Sequence, residues 1–147
     1  MNKITESIHC ILPQNKIGLL NRRGCVDVYC YSNKLETLLG WKANKGSKYK
    51  QQASIPEWIK RNKKFSLFCL KGLIETDGSI YYDRGYRMIN FTTTIPQLAR
   101  DVSMIITKLK FKAYTRIIKH PSRLPKYVIR ISKNVNEFIN LTGINKS

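Results

Sequence analysis

Residues 65–76, F-S-L-F-C-L-K-G-L-I-E-T, constrain this chain more than any other stretch. Read at helical spacing, Phe65, Leu67, Phe68, Cys69, Leu70, Leu73 and Ile74 point in nearly every direction around the axis. A helix that is apolar all round must be covered on more than one side, so the remaining elements have to fold around it. Its end is unusual as well. Glu75 and Asp77 are two of only 9 acidic residues, and they fall where the helix dipole carries partial negative charge. That position disfavours each carboxylate by about 0.3–1 kcal/mol. A divalent cation taking carboxylate, carbonyl and water oxygens would relieve the repulsion. Asp-Gly is equally an ordinary helix-to-strand turn in which Asp77 bonds its own backbone, and local chemistry leaves both readings open.

Turn residues divide the rest. After Asp77-Gly78, residues 79–83 and 86–94 read as two strands joined by an Arg84-Gly85 hairpin. Pro96 opens an amphipathic helix with Leu98, Val102, Ile105, Ile106 and Leu109 on one face. Residues 114–119 and 127–132 read as strands split by a loop at 120–125. Residues 134–141 read as a final helix with an Asn134…Glu137 capping pattern and Gly143 as its stop. Upstream, residues 6–13 and 25–31 read as strands, residues 33–39 as a short helix stopped by Gly40, and 41–52 as a basic loop. A turn of helix is expected at 57–60. The fold class is therefore α+β: an α-β-β-α-β-β-α unit over residues 61–147, preceded by a partial β-β-α repeat with its basic loop over 1–60. A strand, an Asn-x-x-Glu helix and a glycine occur in both parts, at 25–40 and at 127–143.

Charge narrows the partners. Against those 9 acids stand 27 Lys and Arg, a net charge of +18, which draws the chain to polyanions. The basic residues are spread over strands and loops rather than one amphipathic helix, which favours nucleic acid over a membrane surface. No apolar run reaches the roughly 18–20 residues of a membrane span. The first residues lack a signal-peptide core, so the expected location is inside a cell, cytoplasmic or organellar. Cys10, Cys25, Cys30 and Cys69 contain no CxxC pair, and His9 and His120 are the only histidines. That spacing fits neither a zinc site nor a disulfide framework; four reduced, mostly buried thiols are expected.

The nonapeptide Leu70-Lys71-Gly72-Leu73-Ile74-Glu75-Thr76-Asp77-Gly78 resembles the motif of the LAGLIDADG homing endonucleases, departing from it at Lys71, Glu75 and Thr76. The order of elements over residues 65–143 is similar to that family's unit. The resemblance implies that two such helices pack side by side, with Gly72 permitting their close approach. Their terminal acids then meet at the centre of a saddle of two antiparallel sheets seated in the major groove of double-stranded DNA. It implies Mg²⁺ or Mn²⁺ held by Asp77 and the carbonyl of Thr76, for phosphodiester hydrolysis without a protein nucleophile. By the same resemblance, a lysine ahead of an Ile-Pro helps organise the reactive water: Lys48, with Lys50 second, in the segment before Ile55-Pro56. The equivalent lysine after the final helix is Lys146.

Strand alternation supplies the expected DNA face. Ile80, Tyr82, Ile89, Phe91, Tyr127, Ile129 and Ile131 should point inward, leaving Ser79, Tyr81, Asp83, Asn90, Thr92, Lys126, Val128 and Arg130 outward. Arg116 is added although the register of its strand is ambiguous. Polar side chains on such a face suit readout of base edges, and equally suit solvent. One motif per chain supplies one acid, so a homodimer is expected, or a second polypeptide that brings the other helix. The alternative is an RNA maturase, or a DNA-binding protein without activity, on the same scaffold.

Overall fold

A computed structural model describes residues 3–146. Six helices and six strands follow in the order α1 (Lys3–Ile11), β1 (Ile17–Arg22), β2 (Cys25–Cys30), α2 (Lys34–Leu39), α3 (Glu57–Lys60), α4 (Lys63–Asp77), β3 (Gly78–Asp83), β4 (Tyr86–Thr93), α5 (Pro96–Lys108), β5 (Tyr114–His120), β6 (Arg123–Ile131) and α6 (Val135–Thr142). They form two compact units, one ending at Leu38 and the other beginning at Leu39. The segment 39–60 thus groups with the larger unit; the outer limits of the expected division, residues 1 and 147, lie outside the described residues.

In the smaller unit the sequence reading needs correction. The stretch expected as a strand at 6–13 is helical within α1, because Ile4, Ile8 and Ile11 recur at helical rather than alternating spacing. The strand that pairs with β2 is instead β1, in an antiparallel ladder running from Ile17 opposite Cys30 to Arg22 opposite Cys25. The unit is therefore α-β-β-α, not β-β-α. Arg22 and Asp27 form an ion pair across it, and the Asn15 side-chain amide donates to the Tyr31 carbonyl at 2.6 Å.

The larger unit follows its expected order. An antiparallel sheet, β3-β4-β6-β5, is covered on one face by α4, α5 and α6. Leu70 and Ile74 of α4, Ile89 and Phe91 of β4, Val102, Ile105 and Ile106 of α5, Ile129 and Ile131 of β6 and Phe138 of α6 make the core. The β3–β4 hairpin turns through Arg84 and Gly85, both at positive φ (51° and 84°), the two-residue turn that suits twisted strands. β6 begins earlier than expected, at Arg123, so Pro125 sits inside a strand. Its missing N–H is accommodated by the register shift between Ile118 and His120 on the neighbouring edge strand.

Other local expectations also change. The Asn134…Glu137 capping box does not form. Asn134 sits at φ 53° with no side-chain cap bond, and the Lys34 amide takes the Ser32 hydroxyl at 3.2 Å. The glycine stops are as expected, Gly40 at φ 74° and Gly143 at φ 68°. Tyr82, expected inward, is 72% exposed. The four cysteines are free, but none is buried: Cys10 and Cys25 are exposed, and Cys30 and Cys69 are half-buried.

Candidate nucleic-acid interface and acidic centre

α4 begins with the Asn62 side chain accepting from the Phe65 amide at 3.0 Å, and it runs 15 residues to Asp77. Only one stripe of it, Ser66, Leu70 and Ile74, is buried. Phe65 is 43% and Phe68 59% exposed, and a Cβ built on Gly72 would meet nothing within 4 Å. The second covered side that its apolar sequence calls for is thus open along Phe65, Phe68, Gly72 and Thr76. The helix passes into β3 without a linker. Gly78 is extended there (φ −91°, ψ 176°), and a Cβ on it would lie 2.7 Å from the Ile74 carbonyl oxygen and 2.9 Å from that of Asn90. Close packing, not φ, demands glycine.

Asp77 is exposed at this junction and has no hydrogen-bond or ion-pair partner among the described residues. Lys146 is near. Its Nζ donates to the carbonyls of Ile74 (3.3 Å), Glu75 (2.9 Å) and Gly78 (2.6 Å), a cation on the negative end of α4. An ammonium has three protons, and all three are engaged. None of these carbonyls is that of Thr76, whose hydroxyl donates back to Gly72 at 2.9 Å. Glu75, unlike Asp77, is tied in. Its Oε1 receives Lys71 Nζ at 2.5 Å and the Asn145 amide at 2.8 Å, while Lys71 also donates to the Gly143 carbonyl.

Lys48 is not brought to α4 by any hydrogen bond or ion pair among the described residues. Its ammonium lies 5.4 Å from the centre of the Trp41 ring. In the loop carrying it and Lys50, the Gln51 side chain bridges distant backbone groups. Gln51 accepts from the Lys42 amide at 2.8 Å and donates to the Lys42 and Gly46 carbonyls at 2.6 and 3.0 Å. The loop's exit is anchored by Asp101, only 2% exposed, which accepts from the Ile55 amide (2.8 Å), Gln97 (3.1 Å) and Lys60 (3.1 Å). Burial works against the Lys60 charge, but its bonds to Glu57 and Asp101 prevail and hold its pKa above the usual 10.5. Burial, with the Asp101 charge behind it, pushes the Cys69 thiol up.

The sheet face away from the helices gathers the remaining expected residues. Cross-strand pairing puts Ser79, Asn90, Arg130 and Tyr114 in one row, and Thr92, Val128 and Arg116 in another. Lys126 stands opposite Ile118, so the ambiguous register of β5 resolves with Arg116 on this face. Arg130 is aimed by its neighbours. Its Nη2 and Nε donate to the Tyr81 hydroxyl at 2.6 and 3.1 Å, and Asp83 lies 3.5 Å away. The Tyr81 hydroxyl, then Asp83, favours the guanidinium charge. A cavity of about 460 Å³ opens among Asn90, Thr92, Tyr114, Arg116 and Arg130, and Asn90 Oδ1 is buried beside it without a partner among the described residues. Sequence reasoning missed the Tyr81–Arg130 lock, the Asp101 anchor and the Lys71–Glu75 pairing. The last had a visible signal, opposite charges four residues apart on one helix.

A family model described as a LAGLIDADG-like domain matches residues 64–143, from the start of α4 to the glycine after α6. The chain belongs to the LAGLIDADG family. Among solved structures, mesophilic variants of the homing endonuclease I-DmoI are similar to this LAGLIDADG chain at a TM-score of 0.64. They share 16% identity over 97% of this chain and 70% of that one. I-DmoI in complex with DNA and Mn gives 0.60 at 17% identity, over 96% and 69%. At such identities the likeness is one of fold, a homing-endonuclease-like scaffold. No curated protein sequence matches. No helix among the described residues of this LAGLIDADG protein is long and apolar enough to cross a membrane.

The donor set suits a hard divalent cation in part. Asp77 offers an exposed carboxylate on a helix end, beside the Thr76 carbonyl. No cluster of three or more His, Cys, Asp or Glu side chains that could hold a metal ion exists among the described residues.

Proposed function

We propose that this protein is a site-specific endonuclease of double-stranded DNA, hydrolysing phosphodiester bonds with Mg²⁺ or Mn²⁺. The observation that carries it is Asp77: a lone, exposed carboxylate ending a helix whose other face is open around Gly72. Asp77 and the Thr76 carbonyl would hold the ion, which supplies Lewis-acid stabilisation of phosphate charge. A second copy of the chain would bring the other acid, its helix packing on the Phe65–Phe68–Gly72 stripe. A second polypeptide with its own acid would satisfy the same geometry.

The outward sheet face then binds DNA. Ser79, Tyr81, Asp83, Asn90, Thr92, Arg116, Lys126 and Arg130 line it. From Val102 to Asn136 the chain contains 9 Lys and Arg and no acid, so phosphate attraction is unopposed there. Arg130, held edgewise by Tyr81, presents a pre-aimed fork suited to a guanine edge. Lys146 serves as a fixed positive charge on the α4 terminus; to orient a water it would have to release one carbonyl. Lys48 and Lys50 are the candidates in the loop for approach to the phosphates. A DNA substrate would place the protein inside a cell or organelle.

The test is cleavage of a plasmid carrying the DNA that flanks the gene's own insertion site, in Mg²⁺, by wild type and Asp77→Asn. Wild type should linearise it and the variant should bind but not cut. Equal cutting by both would refute the assignment of Asp77. Binding without cutting by wild type would assign the inactive role, and preference for intron RNA over the duplex would assign the maturase role.

A further inference from the structure

The segment after α6 is fastened to α4 by three kinds of polar contact. Lys71 Nζ reaches across to the Gly143 carbonyl and also meets Glu75 Oε1 at 2.5 Å. That same oxygen accepts the Asn145 amide at 2.8 Å. One residue on, the Lys146 ammonium closes the series on the carbonyls of Ile74, Glu75 and Gly78. Lys71 and Glu75 are half-buried, with side chains 30% and 29% exposed, so water competes only in part for these bonds. Ile144, 6% exposed, pins the segment between them to the core.

Charge makes the arrangement reciprocal. Alone, Glu75 would add a second negative charge to the negative end of α4, two residues before Asp77. Lys71 neutralises it from one side, and the Glu75 carboxylate accepts the Asn145 amide as well. The tail then delivers a cation to the terminal carbonyls, so the helix end that presents Asp77 carries compensating positive charge and its last turn is cross-braced.

We propose that Lys71 and Glu75 are positioning residues for Asp77: they clamp residues 143–146 against α4, and the clamp holds the Lys146 ammonium on the carbonyls that flank the acidic turn. The proposal rests on the nuclease reading for its consequence, but the clamp itself is tested without it.

The variants are Glu75→Ala, Lys71→Met and the conservative Lys71→Arg, each with a thermal melt to establish folding. Amide exchange is read first, on the full chain without metal or DNA. In Glu75→Ala the Asn145 amide should exchange about 10–100-fold faster than in wild type, the range expected for losing a hydrogen bond to a charged acceptor. Lys71→Met should show a smaller acceleration of the same amide, and Lys71→Arg almost none. Cleavage of the insertion-site plasmid in Mg²⁺ is read second, beside duplex affinity measured in Ca²⁺. Cleavage by Glu75→Ala should fall at least about tenfold while affinity holds within about threefold, and Lys71→Arg should recover most of the rate lost in Lys71→Met. Unchanged Asn145 exchange in folded Glu75→Ala would overturn the clamp. Parallel loss of affinity and cleavage, or identical behaviour of Lys71→Met and Lys71→Arg, would overturn the positioning role. A wild type that never cuts would fail the nuclease reading while the exchange result still decides the clamp.

Discussion

Asp101→Ala should be the most destabilising single substitution of a charged residue in the larger unit. The carboxylate is 2% exposed and serves three donors: the Ile55 amide at 2.8 Å, Gln97 at 3.1 Å and Lys60 at 3.1 Å. Truncation strands the amide of Ile55, itself 4% exposed, which alone costs about 1–3 kcal/mol. It also leaves the Lys60 ammonium, on a side chain 12% exposed, with only the exposed Glu57 as its acid. Removing one partner of a buried pair costs about 3–5 kcal/mol in all, and the amide penalty belongs inside that figure. At roughly 4 °C per kcal/mol for a unit of this size, Tm should fall by about 12–20 °C in a circular dichroism melt. Lys60→Met added to Asp101→Ala should return part of the loss, since no charge is then left behind. Alkaline titration adds a sign. The Lys60 pKa is raised on folding, so its contribution is complete below about pH 10.5 and is lost as pH rises through the folded value. Wild type should therefore lose stability above pH 10.5 more steeply than Lys60→Met. A Tm for Asp101→Ala within about 4 °C of wild type, or no recovery in the double variant, would refute the reasoning.

Gly72→Leu should keep or slightly raise Tm, because helix propensity improves by up to about 1 kcal/mol and no atom lies within 4 Å of the new Cβ. Sedimentation should then show loss of assembly with a partner helix; undisturbed assembly would remove this face from the interface. Gly78→Ala should cost about 1–3 kcal/mol in urea melts, since its Cβ would stand 2.7–2.9 Å from three backbone atoms, and a neutral result would mean the junction has slack. DNA affinity should fall steeply with salt, and Arg116→Ala should reduce the slope of log K against log salt by about one; an unaltered slope would take Arg116 off the phosphates.

The larger unit was legible because its signals agree. Asp77-Gly78, Arg84-Gly85, Pro96 and Gly143 mark the boundaries, and the burial of Ile89, Phe91, Ile129 and Ile131 follows strand alternation. The register of β5 was not legible, because every residue of this edge strand is exposed and no buried face selects one alternation over the other. α1 misled although Ile4, Ile8 and Ile11 keep helical spacing, because its nine residues lie mostly on the surface and the expected strand took in only its residues 6–11. Asp101 could have been found. It falls three residues after Leu98 and four before Ile105, an acid on an apolar stripe, and such a residue needs a buried partner. Resemblance singled out Lys146 for organising a water, not for its contact with the α4 carbonyls, and no local pattern places a lysine after α6 on a helix about 70 residues earlier.

The missing linker between α4 and β3 has a mechanical consequence. Asp77 ends one element and Gly78 begins the next, with a backbone fit too tight for a methyl group, so the helix and the sheet behave as a single lever. A tilt imposed on the strands by an ill-fitting duplex would reach the carboxylate undamped. Discrimination between DNA sequences should then be sharper in the rate of cutting than in the strength of binding.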